Sequence, residues 1–179
     1  MSLFENSRLA FIDQVSLDEF AKFECSRVDL NEFLYEDALA YHEYGLTHTT
    51  LVIDQDDILG FFSLSADALQ LTKSEVMDLG LDRHIPISYF PAVKLTKLAI
   101  NQRYAGQGLG SLLLSMIDGI VFNLQVATRF ITVDAVNQPE VIQFYEKNGF
   151  INSLVADNER KKQTRRETVL MYKDIYVDL

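Results

Sequence analysis

A strand, a glycine-rich turn and a helix follow one another without interruption in the middle of this chain, and few arrangements accommodate all three. From Val93 to Ile100, apolar Val93, Leu95 and Leu98 interleave with Lys94, Thr96 and Lys97, the period of a strand; the alternation slips near Lys97-Leu98, where a bulge fits. Arg103-Tyr104-Ala105-Gly106-Gln107-Gly108-Leu109-Gly110 comes next. Then Leu109, Leu112, Leu113, Met116, Ile117, Ile120 and Val121 recur at helical spacing. A strand that turns through glycines into a helix directs several backbone N–H groups at one point, backed by the positive end of the helix dipole, and so makes an anion site. Glycine permits close approach and positive φ. Each partial charge is worth only about 0.3–1 kcal/mol at an exposed position, so several donors must converge.

Taken alone, such a turn also fits a plain strand-to-helix connection. A dinucleotide site needs an acid about 20 residues further on to hold a ribose. Asp134 lies too far along, and no strand-helix-strand repeat precedes the turn. A nucleotide-triphosphate loop would need Gly-Lys-Ser/Thr, which is absent.

With 179 residues and 48% hydrophobic content, the chain has the material for one core, and no repeat or Pro/Gly/Ser-rich linker divides it, so residues 1–179 read as a single domain. The one cysteine, Cys25, rules out an intramolecular disulfide and reads as a small buried filler; no Cys/His array has zinc spacing, and His48 and His84 show none, so no metal is expected. A first segment without a basic region and the short apolar runs point to a soluble cytoplasmic protein with no membrane contact. The net charge of −10 disfavours a broad nucleic-acid footprint. Residues 1–90 hold 5 basic and 17 acidic side chains, a net −12, whereas residues 91–179 hold 11 and 9, a net +2. Any bound anion therefore belongs to the second half.

Around the turn the chain reads as an α/β unit. Leu9-Ala10-Phe11-Ile12 is a short strand, and Ser16-Leu17-Asp18-Glu19 reads as a capping box opening a helix to Phe23. Asp29-Leu30-Asn31-Glu32 repeats the signal for a helix that Gly45 stops. Thr49–Ile53 and Ile58–Leu64 flank the polar Asp54-Gln55-Asp56-Asp57 as a hairpin. Thr72-Lys73-Ser74-Glu75 opens a short helix over 72–84, and Pro86 and Pro91 bracket an extended segment. Phe130-Ile131-Thr132-Val133 is a strand. Asn137-Gln138-Pro139-Glu140 starts a helix with Asn137 as cap, ended by Asn148-Gly149. Phe150–Val155 and Glu167–Lys173 form a long hairpin around basic Arg160–Arg166, a patch that could grip phosphates but whose plainer role is a solvated tip.

Arg103, Gly106 and Gly108, with Asn137 and Phe144-Tyr145-Glu146-Lys147-Asn148-Gly149-Phe150 downstream, resemble the paired motifs of the GNAT superfamily of acyl-CoA-dependent N-acetyltransferases. The resemblance implies an α/β fold with a mixed central sheet of about six to seven strands, splayed at the acyl-CoA site and flanked by about four helices. It implies acetyl-CoA as cosubstrate and direct transfer to a primary amine. Leu98, Ala99 and Ile100 would pair with the pantetheine arm, and the N–H groups of Ala105, Gly106, Gln107, Gly108, Leu109, Gly110 and Ser111 would hold the pyrophosphate. Arg103, Asn137 and Phe144 would complete the cofactor site, with Asn137 reaching the cysteamine end. Tyr145 would donate a proton to the departing thiolate; its bland alternative is a core tyrosine beside Val141, Ile142 and Phe144. No general base stands out. Freeing a lysine-like ammonium costs on the order of 4–5 kcal/mol at neutral pH, yet Val93–Lys97 contains no acid, leaving Glu43, Asp67 or His42 through water, or solvent.

The first half, through Phe23-x-Cys25, Leu30–Leu34, Thr49-Thr50 and Gly60–Leu64, resembles a branch that includes toxins acetylating aminoacyl-tRNA, paired with ribbon-helix-helix antitoxins. The acidic first half opposes tRNA and leans towards a small cationic amine or a peptide amine as acceptor. A CoA-binding protein without chemistry is the non-enzymatic alternative, against which Tyr145 speaks. Long last strands and exposed aromatics such as Tyr172 and Tyr176 suit a homodimer.

Overall fold

The structure is a computed structural model and describes residues 7–81, 87–155 and 167–177. Seven strands form one open, mixed sheet: β1 (Arg8–Phe11), β2 (His48–Asp54), β3 (Asp57–Leu69), β4 (Phe90–Ile100), β5 (Phe130–Val136), β6 (Ile151–Asn152) and β7 (Thr168–Asp174), in the order β1-β2-β3-β4-β5-β7-β6. The helices are α1 (Val28–Glu32) and α2 (Ala38–Glu43), joined into one rod by a π turn over Phe33–Asp37, then α3 (Lys73–Asp78), α4 (Leu109–Phe122) and α5 (Pro139–Lys147). Among the described residues, no helix is long and apolar enough to cross a membrane.

The chain divides into two compact units, one comprising the described residues up to Ser65 with Leu95–Leu113, the other Ala66–Lys94 with residues from Leu114 onward. In the first, Phe23, Leu34, Leu51, Phe61 and Ala99 are buried together. The π turn fits one extra residue into the helix and keeps Phe33, Leu34 and Ala38 in that core. In the second unit, Leu69, Phe90, Phe130 and Tyr172 form the core, with Phe130 edge-on to both Phe90 and Tyr172.

The β2–β3 hairpin forms as expected, but its turn is only Gln55-Asp56, because Asp54 and Asp57 pair as strand residues; Thr50 lies opposite Phe62, Gln55 takes φ 51° at the tip, and the register slips between Val52 and Ile53. Thr72 and Glu75 make the expected capping box, but α3 ends at Asp78, ahead of Gly80 at φ +65°.

Several expectations are corrected. Ser16 opens only a 3-10 turn over Leu17–Glu19 without a side-chain cap. The chain then runs extended because Ala21 pairs in parallel with Asp57, its N–H donating to the Asp56 carbonyl, and Phe23 is fully buried against Phe61. The next helix starts at Val28, so Asp29 lies inside its first turn instead of capping it, its carboxylate taken by the Arg27 guanidinium, while the Asn31 side chain holds the Cys25 backbone. On α4 the inward row is Leu109, Leu113, Leu114, Ile117 and Val121, while Leu112 is exposed. The strand expected over Phe150–Val155 reduces to Ile151–Asn152. Tyr172 is buried, 1% exposed, because its ring packs edge-on to Phe130 in the core of the second unit and its hydroxyl reaches Glu75; Tyr176 is exposed. Pro86, His84 and the basic stretch Arg160–Arg166 lie outside the described residues.

Candidate active site

In the first unit, the last residues of β4 feed directly into the glycine turn. Asn101, 1% exposed, fixes the exit from the strand three times over. Its N–H donates to the Leu59 carbonyl at 2.9 Å, its Nδ2 to the Ile58 carbonyl at 3.0 Å, and its Oδ1 accepts from the Arg103 N–H at 3.1 Å. The Gln102 N–H donates to the Glu24 carbonyl at 2.8 Å. Close packing continues beneath. A Cβ on Gly60 would stand 2.7 Å from the Ala99 carbonyl oxygen and 3.2 Å from Leu113 Cδ1, so only glycine lets β3 come this near to Ala99.

Gly106 and Gly108 take φ +75° and +80° with open space where a side chain would stand. Backbone conformation therefore selects glycine at both positions. Residues 105–108 are exposed, and the first α4 bond runs from the Leu112 N–H to the Gly108 carbonyl at 3.2 Å. The N–H groups of Leu109, Gly110 and Ser111 thus belong to a first turn that has no acceptor within its own helix. Gly110 is part of that turn rather than of the loop.

The Arg103 guanidinium points at Asp57 on β3, with Nη2 2.8 Å from Oδ1, and the Tyr104 hydroxyl donates to Asp57 Oδ2 at 2.7 Å. That hydrogen bond pushes the Tyr104 phenol above its ordinary range. Asp57 and Asn101 carry no motif signal for this site, and Tyr104 stands out only as a member of the turn. Asp57 looks like any hairpin-tip acid, and its only sequence signal is that a strand-turn-strand precedes the glycine turn.

In the second unit, Tyr145 on α5 is 7% exposed between Phe144 and Phe150, with ring centroids 5.1 Å and 5.3 Å away. Burial alone pushes its phenol up to about 12, so it carries a proton at any physiological pH. The helix cap is Gln138, not Asn137: Pro139 takes the first helical position, which leaves Asn137 one residue outside, its N–H donating to the Glu167 carbonyl at 2.8 Å.

The three candidate bases have different surroundings. His42 stacks on His48 at 4.7 Å; its Nδ1 accepts from the Thr49 N–H, and Nε2 lies 3.5 Å from Asp13 Oδ1. Asp67, in the second unit, accepts from the Thr132 hydroxyl and the Ala68 N–H. Glu43 is exposed at the end of α2. Cys25 is buried, its thiol pushed up by burial and donating to the Arg27 carbonyl. Among the described residues, no three His, Cys, Asp or Glu side chains group as metal ligands would.

The acetyltransferase (GNAT) domain family matches residues 47–152, more than half of the chain. The protein belongs to that family, the acyl-CoA-dependent N-acetyltransferases. Its fold is shared by a tyrosine-to-phenylalanine mutant of KacT, at 20% identity, TM-score 0.75 and 96% coverage of both chains. It is also shared by AtaT complexed with acetyl-methionyl-tRNAfMet, at 20% identity, TM-score 0.68 and coverage of 92% of this chain and 93% of that one. A mutant AtaT toxin bound to the C-terminus of the antitoxin AtaR and acetyl-CoA matches at 18% identity and TM-score 0.67, covering 96% and 94%.

Proposed function

We propose that the whole chain acts as one N-acyltransferase domain that moves the acetyl group of acetyl-CoA directly to a primary amine. The observation that carries this is the turn after β4, where Gly106 and Gly108 at positive φ lead into the open N-terminus of α4. In this reading the N–H groups from Ala105 to Ser111 receive the pyrophosphate, that of Ala105 by giving up its long 3.3 Å bond to the Gln102 carbonyl. Leu98, Ala99 and Ile100 offer main-chain partners to the pantetheine amides. Arg103 serves through its backbone and its hold on Asp57, and Asn137 and Phe144 complete the cofactor contacts.

Tyr145 then meets the leaving sulfur. The neutral amine attacks the thioester carbonyl, its nitrogen gives up a proton to solvent water, the C–S bond breaks, and negative charge collects on sulfur. A phenol near 12 is a weaker acid than a free thiol at roughly 8.5. Tyr145 therefore helps first by donating a hydrogen bond, and proton transfer follows once the thiolate is itself desolvated.

For the acceptor, the reading we favour is the amino group of an aminoacyl-tRNA. It is supported by likeness along almost the whole chain, the N-terminal half included, to AtaT, whose structure holds acetyl-methionyl-tRNAfMet. It carries with it a cytoplasmic location and an antitoxin partner, as AtaT has AtaR; the resemblance of the first half makes that partner one of the ribbon-helix-helix kind. One observation favours a small cationic amine instead, the net −12 of residues 1–90. The test is acetyl transfer from acetyl-CoA to charged tRNA, polyamines and peptide amines, each with Tyr145→Phe alongside. Turnover of charged tRNA, with kcat reduced about 100-fold or more in Tyr145→Phe, is the expected result. Salt-insensitive turnover of polyamines alone would decide for the second reading, and CoA binding without turnover of any amine would overturn both.

A further inference from the structure

The glycine turn is anchored at its entrance and carries few bonds further on. Asn101 and Gln102 are held by the main chain at Ile58, Leu59 and Glu24. From Ala105 to Gly108, the bonds back to the entrance are long ones: the Ala105 N–H to the Gln102 carbonyl at 3.3 Å and Gln107 Nε2 to the Arg103 carbonyl at 3.5 Å. Between these two stretches stand Arg103 and Tyr104, and both side chains end on one carboxylate.

That carboxylate belongs to a residue that is itself fixed. Asp57 opens β3 opposite Asp54, and its backbone is bridged in parallel to Ala21. Its side chain is 26% exposed and meets Arg103 through both terminal nitrogens, at 2.8 Å and 3.4 Å, and Tyr104 at 2.7 Å. Charge-assisted contacts of this kind are roughly twice as strong as neutral ones. They also cancel most of the field that an unpaired Asp57 would exert on an anion at the turn.

We infer that Asp57 is a positioning residue for the acyl-CoA turn: by clamping Arg103 and Tyr104 it sets where the N–H groups from Ala105 onward point. The inference rests on the reading of the turn as a pyrophosphate site and adds the device that holds it in place. Asp57 touches no part of the cosubstrate in this scheme. Its influence is confined to the ligand's phosphate end, and that confinement makes it testable.

CoA and pantetheine share the thiol arm but only CoA carries the pyrophosphate. Calorimetric Kd values for both would be measured on the full chain, for the unaltered protein, Asp57→Asn, Asp57→Ala and Tyr104→Phe. The unaltered protein binds CoA more tightly than pantetheine. Asp57→Ala weakens CoA about tenfold, the range for losing a charged hydrogen-bond partner, and leaves pantetheine unchanged; Asp57→Asn and Tyr104→Phe fall between. Tyr104→Phe removes one contact from the clamp and gives a readout even where Asp57→Ala folds poorly. Equal weakening of both ligands marks Asp57 as merely structural and overturns the inference, as does an undiminished CoA preference in every variant. A protein that shows no preference for CoA before any substitution overturns the pyrophosphate reading itself, and the clamp with it.

Discussion

The buried hydroxyl of Tyr172 on β7 donates to Glu75 Oε1 on α3 at 3.2 Å, and the same oxygen accepts the Leu154 N–H at 3.0 Å. Glu75 Oε2 takes the Thr72 N–H at 2.7 Å and its hydroxyl at 2.8 Å, so one carboxylate, 5% exposed, joins a helix start to two distant parts of the chain. Truncation to Glu75→Ala strands the buried Tyr172 hydroxyl, at about 1–3 kcal/mol, and takes the acceptor from the half-buried Thr72 donors and the Leu154 N–H, which water can partly replace. We expect urea denaturation to report a loss of about 1–3 kcal/mol, with Glu75→Gln losing less. A loss below about 0.5 kcal/mol would mean that water satisfies these donors instead.

Gly60→Ala presses a methyl group against the Ala99 carbonyl, a backbone atom that cannot rotate away. Overpacking of this kind costs about 1–3 kcal/mol. Because Ala99 belongs to the strand proposed to pair with pantetheine, KM for acetyl-CoA should rise more than stability alone explains. Steady-state kinetics well below the melting temperature separates the two effects, and an unchanged KM would argue against pantetheine pairing on this strand.

Gly108→Ala tests conformation without sterics, since φ is +80° and nothing lies within 4 Å of the added carbon. The left-handed penalty of about 1–2 kcal/mol should appear in stability, in CoA affinity, or divided between them. Gly119→Ala makes the matched control. That glycine is exposed inside α4, has no positive φ and has open space around it, so alanine should stabilise by about 0.5–1 kcal/mol. Thermal melts of the two variants should move in opposite directions.

Tyr145 makes stability depend on alkali. Its phenol titrates at about 12 when folded and near 10 when unfolded, so between those values the folded chain keeps a proton that the unfolded chain has released. The contribution is complete below about pH 10 and is lost as pH climbs through about 12, on the order of 2–3 kcal/mol in all. Tyr145→Phe should therefore flatten the pH profile of unfolding free energy in that window. Part of the slope persists, because burial and the nearby Glu75 also raise the Tyr172 phenol. An identical slope in Tyr145→Phe would show that Tyr145 is wetter than its packing suggests.

Local signals written into few residues proved legible. The β2–β3 hairpin, the Thr72–Glu75 capping box, the helical period of α4 and the stop at Gly149 all follow from spacing and turn chemistry, though the buried face of α4 takes Leu114 rather than Leu112. The Ser16 box misled because its competitor is distant: burying Phe23 and pairing Ala21 with Asp57 hold the chain extended, whatever the local cap would favour. Tyr172 misled for a related reason, since what buries it, Phe130 and Glu75, lies about forty and almost a hundred positions away along the chain. In the candidate site, Gly106 and Gly108 were readable as residues needing positive φ, whereas Asp57 was not. Its partners, Arg103 and Tyr104, lie more than forty positions further along the chain.

The placement of β7 has a temporal side. It is made after β5 and β6 yet lies between them, paired with Phe130–Val136 along one edge and with Ile151–Asn152 along the other. A ribosome delivers β5, α5 and β6 while the strand that separates β5 from β6 does not yet exist. Until Thr168–Asp174 arrives, those two strands must be kept from pairing with each other. Phe130 and Ile151 would lack the Tyr172 neighbour they share, and α5 would grow from a half-finished sheet.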